Sequence, residues 1–286
     1  MTSISRSLSL LALLAIWSTA SFALAQQKTV YSVSAQEAIA TNLVSQDRAV
    51  MADALTEYMR IPVEQQTPRV RAALVEALEI ENERRRKYRL GEGPHWALGP
   101  DDSIGLLLFK QVRNMRDPAH IDALLPWLCC GNYPAWIDFG QVIIEPVLQY
   151  LHSDEFAEDD LMNGGIRLLQ MMVDHWGLES FTSVQREQMR EIAARHILSD
   201  GNLGRWFLLM PAIDLASAIE DTELIRMAET IANDQDELRK RSINSEYRLR
   251  DFKQTISEVT SGTREPYRHV PYEQYMLELD ALENSH

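Results

Sequence analysis

The chain has 286 residues, 45% of them hydrophobic and 24% charged, with 42 acidic against 28 basic side chains and a formal charge of -14. That balance excludes collagen-like, largely disordered and polytopic membrane chains, and it argues against nonspecific nucleic-acid binding, which needs clustered Lys and Arg facing the phosphates. Two cysteines cannot build a disulfide scaffold, while the length suffices for one large domain or two small ones with a substantial core.

Residues 1–25 have the layout of a secretory signal peptide. Arg6 supplies the positive start, Leu8 to Trp17 form a short apolar run, and Ala23-Leu24-Ala25 fits the small-residue cleavage pattern. The run is about half the length a bilayer-spanning helix needs, and no cysteine near the cleavage site points to a lipid anchor. Cleavage after Ala25 would leave 261 of the 286 residues, beginning at Gln26, and the loss of Arg6 takes the charge from -14 to -15. The expectation is a soluble exported protein in the periplasm or exterior of a bacterium, with no transmembrane span once the signal is removed.

After a short segment, 26–33, helix signals recur over residues 34–262, and alternating strand-like stretches with hairpin turns are missing. The class expected is all-α. Ser34 followed three residues later by Glu37 reads as a capping box, and Thr67-Pro68 sets a cap residue before proline at a first helical position. Gly91 closes that helix; Asp117-Pro118 repeats the start signal and Gly131 the stop. Apolar residues spaced i, i+3, i+4, i+7 line one helical face at Val70, Ala73, Leu74, Ala77; at Ile121, Leu124, Leu125, Leu128; at Ile144, Val147, Leu148, Leu151; and at Leu224, Met227, Ala228, Ile231. Looser copies begin at Ile104, Ile166, Met189, Leu209 and Leu249. The starts at Ile121, Ile144, Ile166 and Met189 lie 23, 22 and 23 residues apart, so alternate helices recur after 45. That is a helical-hairpin period.

In the segments Asp117-Pro118-Ala119-His120-Ile121-Asp122-Ala123-Leu124-Leu125, Thr67-Pro68-Arg69-Val70-Arg71-Ala72-Ala73-Leu74 and Asp221-Thr222-Glu223-Leu224-Ile225, the chain resembles the HEAT and armadillo family of helical repeats. The first and third look like that family's inner helix, the second like its outer one. The resemblance implies a right-handed α-solenoid of stacked helical hairpins; the alternative is an irregular helical bundle. Residues 263–286 read as a connector, 263–270, and a short amphipathic helix opened by Pro271. That helix either caps the last repeat or docks a partner.

Motifs for catalysis are missing: there is no GxSxG, SxxK, GxxxxGK or GxGxxG, no HExxH, and no CxxC. His196 closes an apolar set and reads as a structural histidine. The acidic run Asp154, Glu155, Glu158, Asp159, Asp160 lacks the order of a calcium loop and reads as a solvated connection, so no metal and no cofactor are expected. Cys129 and Cys130 are adjacent, either as buried thiols or as a vicinal disulfide that would stiffen the turn. The basic run Arg84, Arg85, Arg86, Lys87, Arg89 follows Glu79, Glu81 and Glu83, with Glu81 to Arg85 and Glu83 to Lys87 in the favourable i to i+4 order. A self-paired solvated face is expected there.

The glycine- and proline-rich stretch 91–100 carries His95 and Trp96, placed as recognition residues, and Trp136 belongs to an aromatic cluster at the next turn. His95, Trp96 and Trp136 are therefore the candidate binding residues. Together these features point to an exported, noncatalytic helical-repeat protein that binds a protein or peptide partner as an adaptor or scaffold in the cell envelope. The alternative is an all-α glycan hydrolase or lyase using paired carboxylates.

Overall fold

A computed structural model describes residues 30–89, 103–130, 133–153, 162–199, 206–241, 243, 245–275 and 277. Among them all regular structure is helical, with no strand, as the sequence pattern requires. None of the described helices is long and apolar enough to cross a membrane. The chain divides into two compact units, one ending at Ala77 and one beginning at Leu78.

The first unit opens with α1 (Val33–Leu43) and α2 (Arg48–Tyr58), which pack on each other. Ser32, in extended conformation, caps α1 by accepting from the Ala35 N–H at 3.2 Å. The capping box expected at Ser34 is therefore displaced: Ser34 already lies inside the first turn, with its hydroxyl against that of Ser32. Asp47 caps α2 in the same way through the Ala49 N–H. The third helix, α3 (Pro68–Arg89), starts where Thr67-Pro68 predicts, with Thr67 Oγ1 accepting from the Val70 N–H. Val70, Ala73, Leu74 and Ala77 are all buried, together with Ile39, Leu43, Met51, Leu55 and Tyr58. The unit boundary falls within α3, after Ala77.

One polar group fastens this unit. The buried Gln36 amide donates to the carbonyls of Gln65 (2.8 Å) and Tyr31 (3.3 Å), while its oxygen accepts from the Thr67 N–H (2.8 Å). Three backbone groups around the α3 entry are thus satisfied by one neutral side chain.

In the second unit, α4 (Ser103–Asn114) supplies Phe109, which stacks on Trp127 and tilts against Trp136, both tryptophans being buried. Arg85, on α3, lies 3.9 Å over the Trp127 ring, and Asn82 bridges the Trp127 indole N–H to the Ala123 carbonyl. The Ile121–Leu128 set is not one helix. α5 (Ile121–Leu124) runs into a 3-10 segment, Leu125–Cys130, because Pro126 has no N–H to donate and crowds the preceding turn.

Then follow α6 (Tyr133–Ile137), α7 (Ile144–His152), α8 (Met162–Trp176), α9 (Ser183–Leu198), α10 (Trp206–Ala218), α11 (Thr222–Asn233), α12 (Gln235–Lys240) and α13 (Glu246–Thr260). A capping box that was not anticipated, Thr182 with Gln185, starts α9. Helix α10 buries Leu208, Leu209, Ala212, Ile213, Leu215 and Ala216, an all-round apolar surface that belongs inside. It carries Pro211 in its interior, at a cost of about 3 kcal/mol that this burial must offset.

Within this unit α7, α9 and α11 pack in sequence, and α8, α10 and α13 pack in sequence beside them. Gly165 lets α8 approach α7 closely, since a Cβ there would strike the Leu151 side chain. Helices α7, α9 and α11 begin at residues 144, 183 and 222, so 39 residues apart each time rather than 45. Helices α8, α10 and α13 begin at 162, 206 and 246, so 44 and 40 residues apart, the first of these steps close to the expected 45; in the other row Met189 marks the buried face of α9, not its first turn.

Candidate functional site

The segment after α13 turns at Gly262 (φ 68°), where a left-handed backbone suits glycine, and runs back over the helices without regular structure as far as Pro271. Its attachments are polar. Arg264 holds the Asp174 carboxylate of α8 through two guanidinium hydrogen bonds, at 3.1 and 2.6 Å, and the Tyr267 N–H donates to the same carboxylate at 2.9 Å. Gln170 also donates to Asp174. Both charged side chains are largely buried, at 15% and 5% exposure, so removing either partner costs far more than breaking a surface ion pair.

Further along, Asp138, just past α6, receives the His269 ring at 2.9 Å on one oxygen and the Tyr272 N–H at 3.0 Å on the other. The second ring nitrogen of His269 faces the Tyr267 hydroxyl at 3.3 Å. Burial, followed by the neighbouring Asp138 charge, pushes the Tyr267 phenol up to about 12. The phenol therefore stays protonated at neutral pH. Both ring nitrogens of His269 are thus engaged, one with Asp138 and one with Tyr267. His175 packs against His269 at 4.7 Å between ring centroids; partial burial, and then the His269 charge, lowers its pKa.

Beyond this fastening lies a cleft of about 470 Å³, lined by Arg113, Arg116, Ala135, Asp138, Tyr272 and Glu273, with Leu277 at its edge. Arg113 ends α4 almost fully buried, at 3% exposure. Its Nη2 donates to the Tyr272 hydroxyl at 2.6 Å and to Asn114 Oδ1 at 3.3 Å, and the guanidinium lies over the Phe109 and Tyr272 rings. Its Nη1 is buried without a hydrogen-bond partner among the described residues, and no described carboxylate pairs with it. Burial lowers the Arg113 pKa, the expected direction for a cation taken out of water without an anion. Arg116 turns the chain at a left-handed φ of 52°, unusual for a non-glycine, and reaches Glu273 at 2.9 Å. Both of those side chains are exposed, so their pair is weak and free to rearrange.

A second cleft, of about 540 Å³ between α9 and α11, differs in kind: its Arg190 is paired with Asp221, Glu223 and Glu187. No group of three or more metal-ligating side chains gathers among the described residues.

Of the candidate residues read from sequence, His95 and Trp96 lie outside the described residues, as does the acidic run 154–160. Trp136 is a core residue, 1% exposed and packed on Phe109 and Phe139, and so does not offer a surface contact. Cys129 and Cys130 end the 3-10 segment, and their side chains lie outside the described residues. His196 is buried. In the basic run Glu81 pairs with Arg84 rather than Arg85, which turns inward onto Trp127, while Glu83 holds Arg86 and Lys87. Reading the sequence misses Arg113, Asp138, Asp174, Arg264 and His269, because no short spacing relates residues up to 156 positions apart; the polar density of the tail is the only local sign. Comparison with known protein families, with curated proteins and with solved structures finds no match to this chain.

Proposed function

We propose that this is an exported, noncatalytic protein of stacked helical hairpins that binds an extended segment of a protein partner, as an adaptor or scaffold in the cell envelope. One observation carries the reading: α8 and the residue just past α6 already hold a nonhelical chain segment in cis. Asp174 and Asp138 each accept a backbone N–H from the segment, at Tyr267 and Tyr272, and each also takes a charged or polar side chain from it. Backbone contacts give affinity for any extended peptide, and side-chain contacts give selectivity. The regular step of 39 residues between α7, α9 and α11, and the two rows of neighbouring helices, support the stacked arrangement, which offers an extended surface.

The test is panning of a displayed peptide library on the full chain, on Arg264→Ala, which loosens the terminal segment, and on Asp174→Asn, which weakens the receiving carboxylate. Enrichment of extended peptides on wild type, stronger on Arg264→Ala and reduced on Asp174→Asn, is the expected result. No enrichment on any of the three, together with cleavage of envelope glycan by the purified chain, would replace this reading with the hydrolase one.

A further inference from the structure

Arg113 is the one described arginine that is at once nearly fully buried, part of a cleft wall, and matched to no carboxylate. Leaving a buried guanidinium without an anion is costly, and the neutral Tyr272 oxygen compensates only in part, because it satisfies one N–H but brings no charge to offset the desolvation of the cation. Arg190, in the other cleft, has three acids around it, whereas Arg113 makes no ion pair with a described carboxylate.

We infer that the cleft beside Arg113 binds the C-terminal carboxylate of a peptide, with the guanidinium as its receptor and the Tyr272 hydroxyl as the internal stand-in when no ligand is present. This rests on the peptide-binding reading above. Two observations select the ligand. The cleft also contains Asp138 and Glu273, and the whole chain is strongly acidic, so a single negative charge is tolerated where a doubly charged phosphate is repelled. Ala135, the Tyr272 ring and Leu277 provide an apolar border for the side chain next to that carboxylate. The volume of about 470 Å³ has room for the last few residues of a chain and not for a folded domain.

The experiment is an NMR titration of the full chain with butyrate, its neutral isostere butyramide, and inorganic phosphate, followed on the arginine Nε–H signals. Butyrate is expected to saturate and to move the Arg113 signal, butyramide to leave it in place, and phosphate to bind more weakly than butyrate. Arg113→Lys, which keeps the charge but loses the fork, should weaken butyrate about tenfold, and Arg113→Gln should abolish saturation. Tyr272→Phe keeps the packing and removes the competing oxygen, so it should tighten butyrate by about threefold or more; this variant decides the matter even if the Arg113 variants do not fold. Equal responses to butyrate and butyramide, or unchanged butyrate binding in Tyr272→Phe and Arg113→Gln, overturn the inference. A second arm compares library peptides with free and amidated C-termini. Peptides that bind equally in both forms overturn the carboxylate site while the peptide reading survives. Saturable butyrate binding with no peptide enriched supports the site and removes the peptide reading.

Discussion

Residues 30–77 and the segment 263–277 are each fastened by a few polar contacts, but with opposite chemistry. Around the α3 entry a single neutral amide, Gln36, serves three backbone groups, and no ionisable side chain takes part. The terminal segment is held instead by a guanidinium, an imidazole and two carboxylates, Arg264 on Asp174 and His269 on Asp138. A neutral, local hub is insensitive to pH and can only be broken by unfolding its surroundings. A charged fastening between distant parts of the chain responds to protons and salt and can open while the helices beneath persist. Under the peptide-binding proposal, the second region is the one that opens for exchange.

The most disruptive way to break the contrast is Asp174→Ala. It strands Arg264 and the Tyr267 N–H, and should cost about 3 kcal/mol. In hydrogen exchange, residues 263–277 should lose protection while residues 30–77 keep theirs; simultaneous loss in both would mean the segment is an integral part of the fold. Gln36→Leu is the counterpart, with an expected loss of about 2 kcal/mol from backbone groups left unpaired. Its effect on the denaturant midpoint should be the same at pH 5 and pH 8, and a pH-dependent effect would refute the neutral-hub account.

Smaller changes sharpen the comparison. Asp214 on α10 is half-buried and its pKa is raised, first by burial, although Arg264 and Arg167 pull the other way. The folded chain thus keeps the Asp214 proton to a higher pH than the unfolded chain, whose value is 3.8, so stability from this group is lost as pH rises through the folded value. Asp214→Asn should consequently raise the melting temperature at pH 7 and leave it nearly unchanged at pH 3. His175 has the opposite sign. Its folded pKa lies below the ordinary 6.5, so its contribution is full above 6.5 and falls away as pH drops through that value towards the folded one. His175→Gln should flatten the acid side of the stability profile slightly, the smallest of these effects because the ring is exposed.

Local chemistry made much of the helical framework legible. Thr67-Pro68 and the set from Val70 to Ala77 foretold where α3 begins and which face it buries, since caps and the 3.6-residue period act within one or two turns. Two local readings moved. Ser32 takes the cap assigned to Ser34, and Pro126 divides the helix expected from Ile121, because each depends on which of two competing neighbours the backbone satisfies. The aromatic at Trp136 had been read as a contact, but adjacency in sequence does not say whether a large ring faces a partner or the core.

By itself, then, the sequence determined an all-α chain, the start of α3 and several apolar faces, all of them short-range properties of spacing and side-chain type. Only the tertiary structure decided that Arg113 would be buried with no described carboxylate paired to it while Arg264 and His269 each found one. Pairing between charges depends on distance in space, and Asp138, Asp174 and the terminal segment come together solely because the packed helices between them fix where the returning chain can lie.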